Sequence, residues 1–208
     1  LVTSLIAFAA AAEEGYKLIK TVPVPGEGGW DYLIVDDAGR RVYISHGTQV
    51  DVLDADNYEI KGTIKDEAIK GVHGIAVAPD LGRGFISNGG SNTVTAFDLK
   101  TLKPMGDPIK TGQGPDCIIY DPSTKQVFAF NGRGKSATVI DASGSKVAGT
   151  IELGGKPEFA AADGNGNVFV NLEDKDEVLK LDAKKMEVLA HIKIDPGKTP
   201  VGLSLIHI

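Results

Sequence analysis

WDYLIVDDAGRRVYISHGTQVDVLDADNYEIKGTI, residues 30–64, sets a pattern that returns about every 42 residues along the chain. Copies follow at 72–109 and 115–151, and a looser copy runs over 157–192. One aspartate holds the same position in every copy, at Asp54, Asp98, Asp141 and Asp182. Self-similarity at this period predicts an array of structural repeats rather than a single irregular domain.

Each unit contains four short apolar runs of β type, separated by turn-forming residues. In the first copy the runs cover 32–35, 42–45, 50–53 and 60–64. Segments such as Asp37-Ala38-Gly39 between the runs are typical of turns. Four antiparallel strands in a unit of this length predict one blade of a β-propeller. We therefore expect an all-β, truncated propeller with blades at 28–64, 72–109, 115–151 and 157–192 and the start of a fifth at 197–202.

Composition narrows the class of protein. With 208 residues, 42% apolar and 24% charged, the chain matches a globular domain. A net charge of −6 argues against a general polyanion binder, so we do not expect nucleic acid as a partner. The single cysteine, Cys117, excludes an intrachain disulfide and any multi-cysteine metal site, and its apolar neighbours predict a buried thiol.

The two ends of the chain differ from the repeats. LVTSLIAFAAAA, residues 1–12, resembles the end of a secretory signal peptide with its cleavage site, which predicts a periplasmic or extracellular protein. The alternative is an apolar tail on a cytoplasmic protein. Twelve apolar residues are too few to span a bilayer, so no transmembrane segment is predicted. LSLIHI, residues 203–208, matches a translated sequencing adapter, which leaves 13–202 as the propeller.

The antiparallel order within a blade predicts which side chains meet. The first residues of the innermost strands should converge on one mouth of the central channel, and they are Asp31, His73, Asp116 and Glu158. Carboxylates with amide oxygens suit Ca²⁺ or Mg²⁺, whereas histidine beside carboxylates suits Zn²⁺ or Fe²⁺. These four residues are the predicted metal ligands.

A second layer of polar residues should surround that mouth. The residues expected to end the second strand of each blade are His46, Asn88, Asn131 and Asn171. Together with Trp30 and Arg133 they are candidate ligand-binding residues. The alternative is that these polar residues recur only because each repeat needs them in structural turns that connect the blades. Buried polar groups need hydrogen-bond partners in any case.

Two segments carry a resemblance to a known family. GVHGIAVAPDLGRGFISNGGSNTVTAFDLKT (71–101) and GPDCIIYDPSTKQVFAFNGRGKSATVIDASGSKVAGTI (114–151) resemble the YVTN type of repeat in YncE-like β-propellers. The resemblance covers 28–202 and implies exported proteins that close as seven-bladed rings. In such rings a leading strand completes the final blade, and YKLIKTVPVP, residues 16–25, resembles the last strand of a unit.

A propeller does not dictate a reaction, so function has to be argued from the site. We interpret the chain as an exported binding and interaction module, monomeric when full length, for a protein or small-molecule ligand. No catalytic residue is predicted, and a divalent metal ion is the one cofactor that the residues suit. The first alternative is a metal-dependent, lactonase-like hydrolase. A redox-associated propeller and a nucleic-acid binder are minor alternatives, the former disfavoured by the missing Cys-x-x-Cys-His motif.

Overall fold

The computed structural model describes residues 16–26 and 28–206 and is built from β-sheet. Over these residues, sixteen strands form four antiparallel sheets of four strands, and each sheet follows the order of the chain. This confirms the predicted all-β architecture of four-stranded antiparallel blades. The sheets do not close into a ring, which agrees with the prediction of a truncated propeller.

Each blade runs from an innermost to an outermost strand. Blade 1 contains β1 (Trp30–Asp36), β2 (Arg41–His46), β3 (Gln49–Asp54) and β4 (Ile60–Lys65). Blade 2 contains β5 (Val72–Ala78), β6 (Arg83–Asn88), β7 (Thr93–Asp98) and β8 (Pro104–Lys110). Blade 3 contains β9 (Pro115–Asp121), β10 (Gln126–Asn131), β11 (Ser136–Asp141) and β12 (Lys146–Glu152). Blade 4 contains β13 (Pro157–Ala162), β14 (Asn167–Leu172), β15 (Glu177–Asp182) and β16 (Glu187–Lys193).

The repeated aspartate shapes the turn between the third and fourth strands. Asp98 Oδ1 accepts the backbone N–H of Thr101 at 2.7 Å, and Asp182 Oδ1 accepts that of Lys185 at 2.9 Å. Asp54 and Asp141 form equivalent bonds to the residues that follow them. A short acidic side chain that accepts backbone N–H groups fixes the turn locally. The most regular residue of the repeat is therefore structural.

The hydrophobic core lies between the blades rather than at the centre of the molecule. Three apolar clusters fill the three junctions between neighbouring blades. Strand β10 shows how one strand serves two of them. Val127 and Ala129 pack toward blade 2, whereas Phe128 and Phe130 pack toward blade 4. A sheet covered on both faces needs strands that are apolar at every position, which explains the continuous run VFAF.

The inner strands β1, β5, β9 and β13 lie side by side along the channel. They approach so closely that Gly74 leaves no room for a side chain. A Cβ atom at this position would lie 2.8 Å from the carbonyl oxygen of Asp116 and 2.9 Å from Cγ2 of Ile118. The glycine therefore allows the backbones of blades 2 and 3 to meet at the channel wall.

Several predicted segments lie outside the sheets. Residues 16–26 and 197–202 have no strand assignment, so the predicted leading strand and the start of a fifth blade do not form sheet here. Leu33 and Val35 on β1 are 62% and 56% exposed. The signal-like segment 1–12 and the last two residues lie outside the described residues. Over the described part of the chain, no helix has the length and apolarity needed to cross a membrane.

The close approach at Gly74 predicts a strong effect of one methyl group. We expect Gly74→Ala to lower the free energy of unfolding by about 1–3 kcal/mol, because the added carbon overpacks a backbone contact. Gly29→Ala is the matched control, since no heavy atom lies within 4 Å of the place that its added methyl group would occupy. Urea denaturation of both variants measures the difference. Equal stability of the two variants would contradict the inferred packing.

Candidate functional site

The four predicted entry residues occupy equivalent positions on the inner strands. In each blade the first residue of the inner strand pairs with the last residue of the second strand, and the entry residue comes next in the chain. These pairs are Trp30↔His46, Val72↔Asn88, Pro115↔Asn131 and Pro157↔Leu172. The register shifts directly after each of these pairs. An irregularity of this kind bends a strand and redirects a side chain. It is the feature that brings the entry residues to the channel mouth.

Three of these residues form a compact cluster. His73 Nδ1 lies 2.6 Å from Asp31 Oδ2 and 3.8 Å from Asp116 Oδ1. One ligand atom from each residue lies within 4.8 Å of the other two. Two atoms bound to one ion at about 2.1 Å are at most roughly 4.2 Å apart, so small side-chain adjustments would bring all three onto one ion. The structure therefore brings three of the four predicted entry residues together.

Glu158 lies beside this cluster and not in it. Its Oε2 is 3.5 Å from Lys156 Nζ, and the same ammonium group pairs with the Glu173 carboxylate. Burial raises the pKa of Glu158, and the negative charges of Asp116 and Glu173 raise it further. Glu158 is therefore a half-buried acid next to the cluster, held by a lysine from its own blade.

Asp116 is more enclosed than Asp31, the other acid of the three-residue cluster. Burial is the main cause that raises its pKa above the ordinary value, and the charge of Asp31 adds to the effect. His73 opposes the shift because a nearby positive charge favours the carboxylate. A cation at this position would stabilise the ionised carboxylate that burial disfavours.

The second polar layer is buried and bonded within its own blades. His46 Nδ1 lies 2.9 Å from Asp51 Oδ2. The amide of Asn131 donates to Thr138 Oγ1 at 3.0 Å, and Asn88 donates to the equivalent threonine of blade 2 at 2.9 Å. These bonds join the second strand to the third across their turn. The structural interpretation therefore describes these three residues better than ligand binding.

Asn171 does not occupy the position predicted for it. Leu172 pairs with Pro157 and is the residue equivalent to Asn131. Asn171 instead takes the role of Ser87: its Oδ1 accepts the Phe159 N–H at 2.6 Å. Strand β14 ends at Leu172 just as β10 ends at Asn131, so Asn171 is the next-to-last residue of its strand. The predicted equivalence was wrong for this reason.

The two remaining candidates also make contacts inside the protein. The Trp30 indole stacks on the His46 ring, with centroids 4.6 Å apart, and is 55% exposed. Arg133 donates from Nη2 to the Gly89 carbonyl oxygen at 2.9 Å, which joins blades 2 and 3. Only the outer face of the indole remains free for a ligand. Arg133 therefore uses part of its guanidinium group for a structural hydrogen bond rather than for a ligand.

Sequence reasoning missed Tyr32, which lies under the mouth. Its hydroxyl group donates to the carbonyl oxygen of Glu158 at 3.0 Å, from blade 1 to blade 4 across the channel. Its ring lies 5.6 Å from that of Phe159. Burial, followed by the surrounding negative charges, raises the pKa of Tyr32 well above its ordinary value. An aromatic residue directly after Asp31 in the chain was the available signal.

The raised pKa values of Asp116 and Glu158 predict how stability depends on pH. Both groups bind protons more tightly in the folded chain, so their contribution to stability is complete below the ordinary values of 3.8 and 4.5 and is lost as the pH rises through the raised values. We expect the melting temperature of Asp116→Asn/Glu158→Gln to fall less between about pH 4 and pH 7 than that of the wild type.

The control for this experiment is Asp37→Asn, which removes a carboxylate that is 95% exposed. Melting curves recorded across the same pH range should leave the control parallel to the wild type. A double variant that also runs parallel to the wild type would contradict the electrostatic description of the mouth.

Comparison with known proteins agrees with this architecture. The search of curated proteins found no match. A solved chain titled Kuenenia stuttgartiensis Hydrazine Synthase is similar with a TM-score of 0.73 and 19% identity, covering 86% of this chain and 53% of that chain. The likeness shows the fold alone, and this chain spans about half the length of that one. A family model described as a YncE-like β-propeller matches residues 3–163. The chain therefore belongs to the YncE-like β-propeller family.

Proposed function

We propose that this chain is a propeller binding module that holds a divalent metal ion at the channel mouth and, through it, a small ligand. The observation that carries the proposal is the cluster of Asp31, His73 and Asp116, whose ligand atoms lie within 4.8 Å of one another. They come from three different blades, and each lies on an inner strand between the first strand pair and the regular ladder that follows the register shift. A preformed set of ligands on rigid strands is what a metal site requires.

The donor set favours Zn²⁺ or Fe²⁺ over Ca²⁺. Ca²⁺ takes six to eight oxygen ligands, whereas this cluster offers one imidazole nitrogen and two carboxylates. A histidine with carboxylates is the ligand type of the transition metals. Asp31 and Asp116 would balance the charge of a divalent ion. Three protein ligands leave a coordination position for a ligand oxygen.

A second candidate function is a metal-dependent hydrolase of the lactonase type. It is favoured by Glu158, an acid beside the cluster whose pKa is raised by burial and by Asp116. A carboxylate with a raised pKa is a better proton acceptor for an attacking water than an ordinary one. If this function holds, Glu158→Gln would lose lactone or ester hydrolysis while it still binds metal. A variant that keeps hydrolysis would exclude Glu158 as the proton acceptor, and a wild type that binds metal without hydrolysis would leave only the binding module.

We also propose that the chain functions outside the cytoplasm, in the periplasm or the extracellular space. The support is the signal-like segment 1–12, which ends in small residues before two glutamates. Fractionation of cells that express the full-length gene, followed by detection with an antibody against the blades, tests the location. Recovery of the protein in the cytoplasmic fraction alone would refute it.

The metal proposal predicts a specific loss in one histidine variant. We expect His73→Ala to weaken Zn²⁺ binding by at least about tenfold, because the only nitrogen ligand of the cluster is removed. Isothermal titration calorimetry measures the affinity, and elemental analysis of the purified protein measures the stoichiometry. One ion per chain is the expected value for the wild type.

His191→Ala is the matched control for this measurement. His191 also pairs with a carboxylate, at 2.9 Å from Glu177 Oε2, but it lies on the outer strand β16. Its removal should leave the affinity unchanged. Equal losses in both variants would indicate scattered surface binding and would reject the proposed site, as would a wild type that binds no ion.

A further inference from the structure

An apolar pocket lies directly beneath the channel mouth. It has a volume of about 160 Å³. Its upper part is formed by the third residues of the inner strands, Tyr32, Gly74, Cys117 and Phe159, which follow the entry residues in the chain. Ile34 and Ile118 form part of its lower wall. The pocket and the polar mouth are therefore consecutive layers of the same four strands.

The lining of this pocket is suited to an apolar group. None of the side chains that line it is charged. Cys117 contributes a buried sulfur atom to the lining. An apolar cavity of about 150 Å³ in a protein core binds benzene, which sets the size of group that fits. The pocket therefore matches one benzene-sized ring.

The charge at the mouth determines which kind of polar group can accompany that ring. Asp31 and Asp116 already balance a divalent ion. The remaining carboxylates, Glu158 and Glu173, outnumber the one ammonium group of Lys156. An anionic ligand would add a further negative charge to a half-buried site, which is unfavourable. A neutral oxygen that can approach the ion avoids this cost.

We propose that the ligand is an uncharged carbonyl compound with a benzene-sized apolar group, whose ring occupies the pocket and whose oxygen lies at the mouth. The position of the oxygen rests on the proposed metal function, whereas the pocket for the ring does not. Leu33 lines the pocket and is 62% exposed, so its side is the route by which the ring enters. Tyr32 lies between the two layers.

Four probes separate the parts of this proposal. Benzene tests the pocket alone, acetone tests the carbonyl oxygen alone, acetophenone combines the two, and benzoate combines the ring with a negative charge. Their dissociation constants are measured by ligand-observed NMR on the purified chain, with and without Zn²⁺. We expect acetophenone to bind at least about tenfold tighter than acetone or benzoate to the Zn²⁺-loaded chain.

Metal dependence identifies where the oxygen lies. Zn²⁺ should strengthen acetophenone binding and leave benzene binding unchanged. Ala160→Leu tests the pocket, because Ala160 lines it and is buried, so the larger side chain fills the space. We expect this variant to weaken acetophenone and benzene binding by at least about tenfold. Ala190→Leu on the outer strand β16 adds the same atoms elsewhere and should bind like the wild type.

The outcomes distinguish this inference from the metal proposal. If Zn²⁺ binds but neither benzene nor acetophenone does, the pocket is rejected and the metal site stands. If benzene binds but Zn²⁺ does not, the metal site is rejected, and with it the position of the carbonyl oxygen. If benzoate binds as tightly as acetophenone, the charge argument is wrong. These outcomes are binding measurements on the wild type, so they hold even if Ala160→Leu fails to fold.

Discussion

Apolar packing between neighbouring sheets is the constraint on which the rest of this structure depends. Every junction between the described blades is filled by a separate hydrophobic cluster, and over residues 16–26 and 28–206 no further core joins them. A middle strand such as β10 must therefore be apolar on both faces, because it is covered by a blade on each side. Polar side chains are consequently concentrated in the turns, at the first residues of the inner strands, and where the end of the second strand meets the start of the third.

This confinement explains why the candidate site lies at the channel mouth. The inner strands begin at one level, and a register shift after the first pair moves the next side chain to the mouth. Because packing does not restrict these entry positions, the repeat can vary them, as Asp31 and His73 show. The same strands return to apolar residues one position later. A layer of polar side chains at the mouth, above an apolar pocket, thus follows from the order of residues in a single repeated strand.

The repeat made much of the architecture predictable from the sequence. Strand positions and the convergence of Asp31, His73 and Asp116 depend on the repeat period and on the antiparallel order of strands. Both can be read from the spacing of residues along the chain. The role of Asn171 could not be read in this way, because blade 4 ends its second strand with Leu172 and has its asparagine one position earlier. The position of Tyr32 after Asp31 was visible in the sequence, but its bond to Glu158 was not, since that bond joins residues separated by 126 positions across the channel.

The mouth also connects protonation to ion binding. Burial works against the charge on Asp116, and neither the Asp31 carboxylate nor Glu158 relieves it, because both are negative. His73 and Lys156 offset this effect in part, and a proton or the proposed cation would offset it further. The two would compete for the same atoms, so the affinity for the proposed ion would decrease as the pH falls into the range where these carboxylates bind protons. The ion that we propose at the mouth would also stabilise the contact between the three blades that supply its ligands.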